Sequence, residues 1–135
     1  MSRVRPVHDS GTPLPRKLGM RPGGTLALVY APVGFEAKLG PLPAAAVVTR
    51  RLGASPTLTL WFVRRRAELE RRIAGIAARS DGLWIAWPKQ ASGVKTDVTQ
   101  PVVREVGLAA GLVDFKICAV DETWSALRFA RRVGA

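Results

Sequence analysis

The feature that most narrows the fold is a series of short strand-like runs divided by turn residues, at 26–30, 45–50, 57–63 and 83–87, of which the first and last are continuously apolar. A strand with one face in water alternates apolar and polar side chains. A run that does not alternate belongs in a sheet covered on both faces, which is the habit of parallel sheets. Between the third and fourth runs the spacing turns helical over 66–79, where Leu69, Ile73, Ile76 and Ala77 share one face and Glu68 and Arg72 form an i,i+4 pair on another. A second helix is predicted over 99–110, with Thr99 or Asp97 as its N-cap, Pro101 in the first turn, Val102, Val103, Val106 and Ala110 buried, and Gly111 at the left-handed stop.

The remaining segments complete the pattern. A loop with a short helix is predicted around 34–39, a loop over 89–98 after Pro88 stops the fourth run, and a strand over 113–120. The polar link Asp121-Glu122-Thr123 leads to 124–131, where Leu127 and Phe129 alternate with Arg128 and Ala130 as in a half-exposed hairpin strand. Strands alternating with helices predict an α/β protein: a three-layer, Rossmann-like, mostly parallel sheet with a C-terminal antiparallel edge hairpin. The 135 residues suffice for one core. Residues 1–24 carry Pro6, Pro13, Pro15, Pro22, Gly11, Gly19, Gly23 and Gly24 and read as a flexible basic tail without a helix, leaving 25–135 as the single domain.

Scarce residues exclude several chemistries. Cys118 is the only cysteine, so an intramolecular disulfide, a thiolate zinc cluster and a CxxC redox pair are ruled out within one chain. Within the run Phe115-Lys116-Ile117-Cys118-Ala119-Val120 it reads as a buried small hydrophobe. His8 is the only histidine and lies in the Pro/Gly-rich leader, which disfavours Ser-His-Asp and Cys-His devices. No metal site is expected. No apolar run reaches the roughly 20 residues needed to span a bilayer, and the N-terminus lacks a signal-peptide pattern, so the expectation is a cytoplasmic protein without membrane contact.

The net charge of +11 is the strongest functional signal. It predicts an anionic ligand or polyanion as partner, non-specific nucleic acid among them. Sixteen of the 21 basic residues are Arg, as a GC-rich genome would also produce, but codon bias does not explain the excess of base over acid. Without residues 1–24 the chain still carries a surplus of seven positive charges. No helix-turn-helix, zinc finger or RNP-like motif is visible, so any binding to nucleic acid should be salt-sensitive and sequence-independent.

Ligands of open parallel sheets bind outside the carboxyl ends of the strands, near the point where the strand order reverses. Four segments should reach that rim. Arg64, Arg65 and Arg66 oppose a helix macrodipole, a conflict that a bound anion relieves and a solvated turn merely tolerates. Lys89, Ser92, Gly93, Lys95 and Thr96 precede a helix and suit a phosphate or carboxylate, or an ordinary capped loop; the spacing is not that of a P-loop. Together Lys89, Lys95 and the arginine turn are expected to form one anion pocket. Gly34, Phe35, Asp97, Asp121, Glu122 and Trp124 are further rim contacts. Adjacent carboxylates at Asp121 and Glu122 fit a solvated turn as well as an acid–base pair. Trp61, Trp84 and Trp87 lie inside strand runs as core residues, whereas Trp124 either projects over the site or lids the sheet.

The order of elements resembles a shortened class I S-adenosylmethionine methyltransferase, through Leu18-Gly19-Met20-Arg21-Pro22-Gly23 before the first strand, residues 105–112 before the penultimate strand, and the closing hairpin. That resemblance implies a methyl-donor cofactor, but the family's cofactor loop has an acidic residue and clustered glycines where this chain reads Tyr30-Ala31-Pro32-Val33-Gly34-Phe35. No cofactor is therefore expected. Trp87-Pro88-Lys89, Ser92-Gly93-Val94-Lys95-Thr96-Asp97, Gly111-Leu112-Val113-Asp114 and Asp121-Glu122-Thr123-Trp124-Ser125 resemble a small bacterial family of unknown function over residues 18–132. The leading expectation is a non-catalytic α/β module binding an anionic partner. The alternatives are a methyltransferase-like enzyme using Lys89, Lys95, Asp97, Asp121 or Glu122, and a structural assembly protein that pairs through exposed sheet edges.

Overall fold

The computed structural model describes residues 11–53 and 56–132. Six strands, β1 (Thr25–Val29), β2 (Val47–Thr49), β3 (Leu58–Phe62), β4 (Leu83–Pro88), β5 (Leu112–Ala119) and β6 (Trp124–Arg131), form one sheet in the order β2-β1-β3-β4-β6-β5. The β2-β1-β3-β4 half is parallel, and β6 runs antiparallel between β4 and β5. The expected class, a Rossmann-like α/β sheet with an antiparallel hairpin at the end, is the one observed.

The third and fourth runs are covered on both faces, every residue of β3 and of β4 being buried, whereas the second forms the edge strand β2 and has no buried residue. One face of the sheet packs Leu26, Leu28, Leu60, Trp84 and Ala126 beneath α1 (Leu14–Leu18) and a short 3₁₀ turn, Phe35–Lys38. The other packs Trp61, Ile85, Leu127 and Phe129 against Leu69, Ile73 and Ile76 of α2 (Arg66–Ala78) and Val103 and Val106 of α3 (Gln100–Ala109). The Glu68–Arg72 pair forms at 3.4 Å. Gly111 adopts the expected left-handed stop at φ 83°, whereas Ala110 is exposed. Cys118 is buried, as are all four tryptophans. No helix among the described residues is long and apolar enough to cross a membrane.

The tail assignment needs correction. Residues 1–10, with His8, lie outside the described residues, but α1 stands within what reads as a featureless leader. Pro13 is its N-cap and Pro15 lies in its first turn, where the missing N–H would have no helical partner anyway. Leu14 and Leu18 form an apolar i,i+4 pair, and Gly19 at φ 91° closes the helix. The Trp84 indole N–H donates to the Leu18 carbonyl at 2.9 Å, and the Lys17 ammonium donates to the Ala119 carbonyl at 2.7 Å. The folded unit therefore begins well before residue 25.

Candidate functional site

The carboxyl ends of β1, β3, β4 and β5 share one rim, and the loops leaving β3 and β4 are stitched together there. Val63 extends the ladder through its N–H to the Ala86 carbonyl, and α2 then starts at Arg66 with Arg65 in the N-cap position. Arginine has no acceptor with which to cap a helix. Asp97 does so from the other loop, accepting from the Arg66 N–H at 2.7 Å. Beside it the Thr96 hydroxyl donates to the Arg64 carbonyl at 2.7 Å and accepts from the Val98 N–H at 3.0 Å. Asp97 thus caps α2 rather than α3, whose N-cap, Thr99, makes no side-chain capping bond.

Arg64, Arg65, Lys95, Thr96 and Asp97 surround a depression of about 440 Å³. The side chains of Arg64, Arg65 and Lys95 are exposed and make no hydrogen bond or ion pair among the described residues. Arg66 is committed elsewhere, to Glu70 at 2.9 Å and Glu105 at 3.0 Å, and these two bonds hold its guanidinium pKa above the ordinary value. The macrodipole conflict read from three arginines is therefore relieved in part by the chain's own Asp97, Glu70 and Glu105.

Lys89 does not join this group. Its ammonium donates to the Asp121 carbonyl at 2.8 Å, and its stem borders a separate depression with Trp87, Gln100 and Ser125. A lysine stem can turn to either side of its strand end, and here the β5–β6 turn offers the nearer acceptor. Ser92 donates to the Lys89 carbonyl and accepts from the Val94 N–H, while Gly93, at φ 79°, ends the 3₁₀ turn Gln90–Ser92. Both serve the loop.

Arg64 and Arg65 also border a crevice of about 540 Å³ with Tyr30, Ala31, Pro32, Val33, Phe62, Glu68 and Trp124. It lies between β1 and β3, where successive connections leave in opposite directions across the sheet, the place at which open α/β folds bind ligands. Phe35 and Trp124 are not free rim contacts. Both stack edge-on against Phe62, with ring centroids 4.9 Å apart in each pair, and Phe35 is almost fully buried. Trp124 forms a wall of the crevice and covers the sheet end. Tyr30, which the sequence places at the end of the first run and not among the rim contacts, is half exposed at φ 56°, with the Arg72 guanidinium 5.2 Å from its ring centroid.

The carboxylates of the β5–β6 turn are wired into it. One Asp121 oxygen accepts from the N–H groups of Thr123 and Trp124, both at 2.8 Å, and the other lies 3.2 Å from the Lys38 ammonium. Lys38 reaches Glu122 at the same distance. Bonds to Asp121, then Glu122, raise the Lys38 pKa; a backbone hydrogen bond and then Lys38 lower that of Glu122. Among the described residues no group of three or more His, Cys, Asp or Glu could hold a metal ion.

A further clamp had no local sequence signal. The Arg50 guanidinium, just past β2, bonds both Glu36 oxygens at 2.7 and 2.9 Å and the carbonyls of Ala31 and Pro32 at 2.9 and 2.8 Å. The Arg50 bond leads in pulling the Glu36 pKa from 4.5 down to about 2. Nucleotide sites of this architecture use glycines after the first strand for close approach and a carboxylate to hold a ribose. Here the loop presents Ala31, Pro32 and a fully exposed Val33 before a single glycine, Gly34 at φ 78°, and the Glu36 carboxylate is taken by Arg50. These residues do not fit an S-adenosylmethionine cofactor.

No family model matches the sequence, and no curated protein matches it. Solved structures do. Magnesium protoporphyrin IX methyltransferase from Synechocystis PCC 6803 with bound SAH is 13% identical at a TM-score of 0.53, over 82% of this chain and 75% of that one. The same enzyme with bound SAM gives 12% and 0.54, over 82% and 71%. A candidate methyltransferase from Thermoplasma acidophilum is 11% identical at 0.54, over 86% and 71%. The chain has a Rossmann-like, methyltransferase-type α/β fold; at these identities the likeness is one of fold alone.

Proposed function

We propose that this chain is a non-catalytic, methyltransferase-fold module that binds the phosphate backbone of nucleic acid at the carboxyl rim of its sheet. The observation that carries the reading is the convergence of the Arg64, Arg65 and Lys95 side chains on one depression with no partner among the described residues. Three uncommitted cations on an open surface suit successive phosphates better than one enclosed ligand. The crevice sharing Arg64 and Arg65 extends the basic surface toward Tyr30, whose half-exposed ring offers a base a stacking face. The charge of +11 supplies the long-range attraction. Fluorescence anisotropy of a labelled oligonucleotide, titrated with wild type and with an Arg64→Ala, Arg65→Ala, Lys95→Ala triple variant, tests it. Binding that falls at least tenfold with an unchanged melting temperature supports the reading, and equal binding by the two proteins overturns it.

A methyltransferase-like enzyme is the second reading, favoured by the fold. Of the five residues available for its chemistry, Asp97 caps α2, Lys89 and Asp121 brace the β5–β6 turn and Glu122 pairs with Lys38, leaving Lys95 alone uncommitted. Calorimetry with S-adenosylmethionine separates the two readings: saturable micromolar binding favours the enzyme.

A further inference from the structure

At the opposite edge of the sheet, where β1, β3 and β4 begin, Gly19, Arg21, Pro22, Gly23, Gly24, Thr57, Leu58, Asp81 and Arg128 surround a cavity of about 530 Å³. Arg128 is its unusual member. It projects from β6 at the position paired with Trp84 and Lys116, and its guanidinium is held between two glycines. A Cβ on Gly19 would come 2.9 Å from one terminal nitrogen, and a Cβ on Gly82 2.8 Å from the other. The Phe115 ring lies 5.5 Å from the guanidinium carbon, a cation–π contact that supplies no hydrogen-bond acceptor. The Nε–H is buried without an acceptor, and no ion pair among the described residues joins Arg128 to Asp81 or any other carboxylate.

A half-buried guanidinium with no acceptor is costly, and such groups are normally paired or hydrogen-bonded. The Arg21 side chain, on the same wall, also lacks a partner among the described residues, whereas the Gly23 and Gly24 N–H groups are spent on the Ala44 and Arg21 carbonyls. Any anion here must therefore be held by guanidinium groups and not by a nest of amides. We propose that this cavity is a second binding site, independent of the carboxyl rim, for a small oxyanion-bearing molecule whose carboxylate or phosphate takes the fork of Arg128 with Arg21 as second cation. The volume exceeds that of a bare ion and lies in the small-ligand range. Asp81 offers an acceptor for a ligand hydroxyl or amine across the cavity.

The test uses full-length protein and thermal denaturation at constant ionic strength, titrating inorganic phosphate in one arm and succinate in the other, so that the preferred oxyanion is identified. The expected result is a saturable rise in melting temperature with at least one probe, abolished in Arg128→Met, weakened in Arg21→Ala and retained in Arg65→Ala with Lys95→Ala. If Arg128→Met does not fold, Arg21→Ala, an exposed position, decides. No saturable rise with either probe, or an undiminished rise in the Arg128 or Arg21 variant, overturns the proposal. Retention in the rim variant separates its fate from that of the nucleic-acid surface.

Discussion

Asp97 is the residue at which stability and binding should part company. Its carboxylate caps α2 from a different loop, accepting from the Arg66 N–H at 2.7 Å, and stands beside Arg64, Arg65 and Lys95. Removing a capping acceptor costs about 1 kcal/mol, and losing a negative charge at a helix N-terminus adds roughly 0.3–1 kcal/mol. Asp97→Ala should therefore lose about 1–2 kcal/mol, or about 4–7 °C in melting temperature for a domain of this size. Asp97→Asn keeps an acceptor and should lose only about 1–3 °C. Either change removes a charge that repels phosphates. At about 7 Å in a water-like dielectric that repulsion is about 0.6 kcal/mol, so oligonucleotide affinity should rise about threefold in both variants. Calorimetric melting and anisotropy on the same samples read both effects. An Asp97→Ala protein that melts like wild type refutes the cross-loop cap, and a fall in affinity at intact stability refutes the placement of Asp97 as a bystander to the bound anion.

Gly107→Ala should destabilise despite its better helix propensity, because the new Cβ would lie 2.3 Å from the Phe129 ring; overpacking of about 1–3 kcal/mol outweighs a gain of about 1 kcal/mol. A melting temperature at or above wild type counts against it, and adding Phe129→Leu should recover part of the loss. The Glu36–Arg50 clamp should contribute stability above pH 4.5, the ordinary carboxyl value, and lose it as pH falls toward the folded value of about 2. The melting-temperature gap between wild type and Glu36→Gln should therefore be widest above pH 4.5 and close by about pH 2, whereas a gap independent of pH contradicts the assigned ionisation. Isothermal titration with S-adenosylmethionine should give no saturable micromolar heat, since Ala31, Pro32 and Val33 follow β1 and Arg50 occupies the loop's carboxylate.

Much of the scaffold was legible because its cause is local. Strands β3 and β4, apolar but for Thr59, can satisfy their composition only at the centre of a covered sheet, and the spacing of Leu69, Ile73, Ile76 and Ala77 admits only a helix face. Helix α1 was missed because Pro13 and Pro15 read as breakers; at a helix start they are tolerated, and the Leu14–Leu18 spacing followed by Gly19 was the available signal. The rim was legible to the extent that topology decides it: β3 and β4 are neighbours, so Arg64, Arg65, Lys95 and Thr96 meet. Side-chain commitments were not. The Asp97 cap spans 31 residues, the Lys89 bond 32 and the Arg50 clamp 14, and each depends on which acceptor lies nearest in the folded chain. Nothing in a sequence period encodes that choice.

The salt dependence of oligonucleotide binding tests the central claim most directly. Three phosphate contacts on a duplex predict a slope of about −2.7 in log K against log salt, or about a 40-fold loss of affinity between about 50 and 200 mM. With Arg65→Ala and Lys95→Ala together the slope should shrink to about −0.9, a loss of only about fourfold over the same range. A wild-type affinity that ignores salt, or a variant slope equal to that of wild type, would contradict a phosphate-binding rim built on Arg64, Arg65 and Lys95.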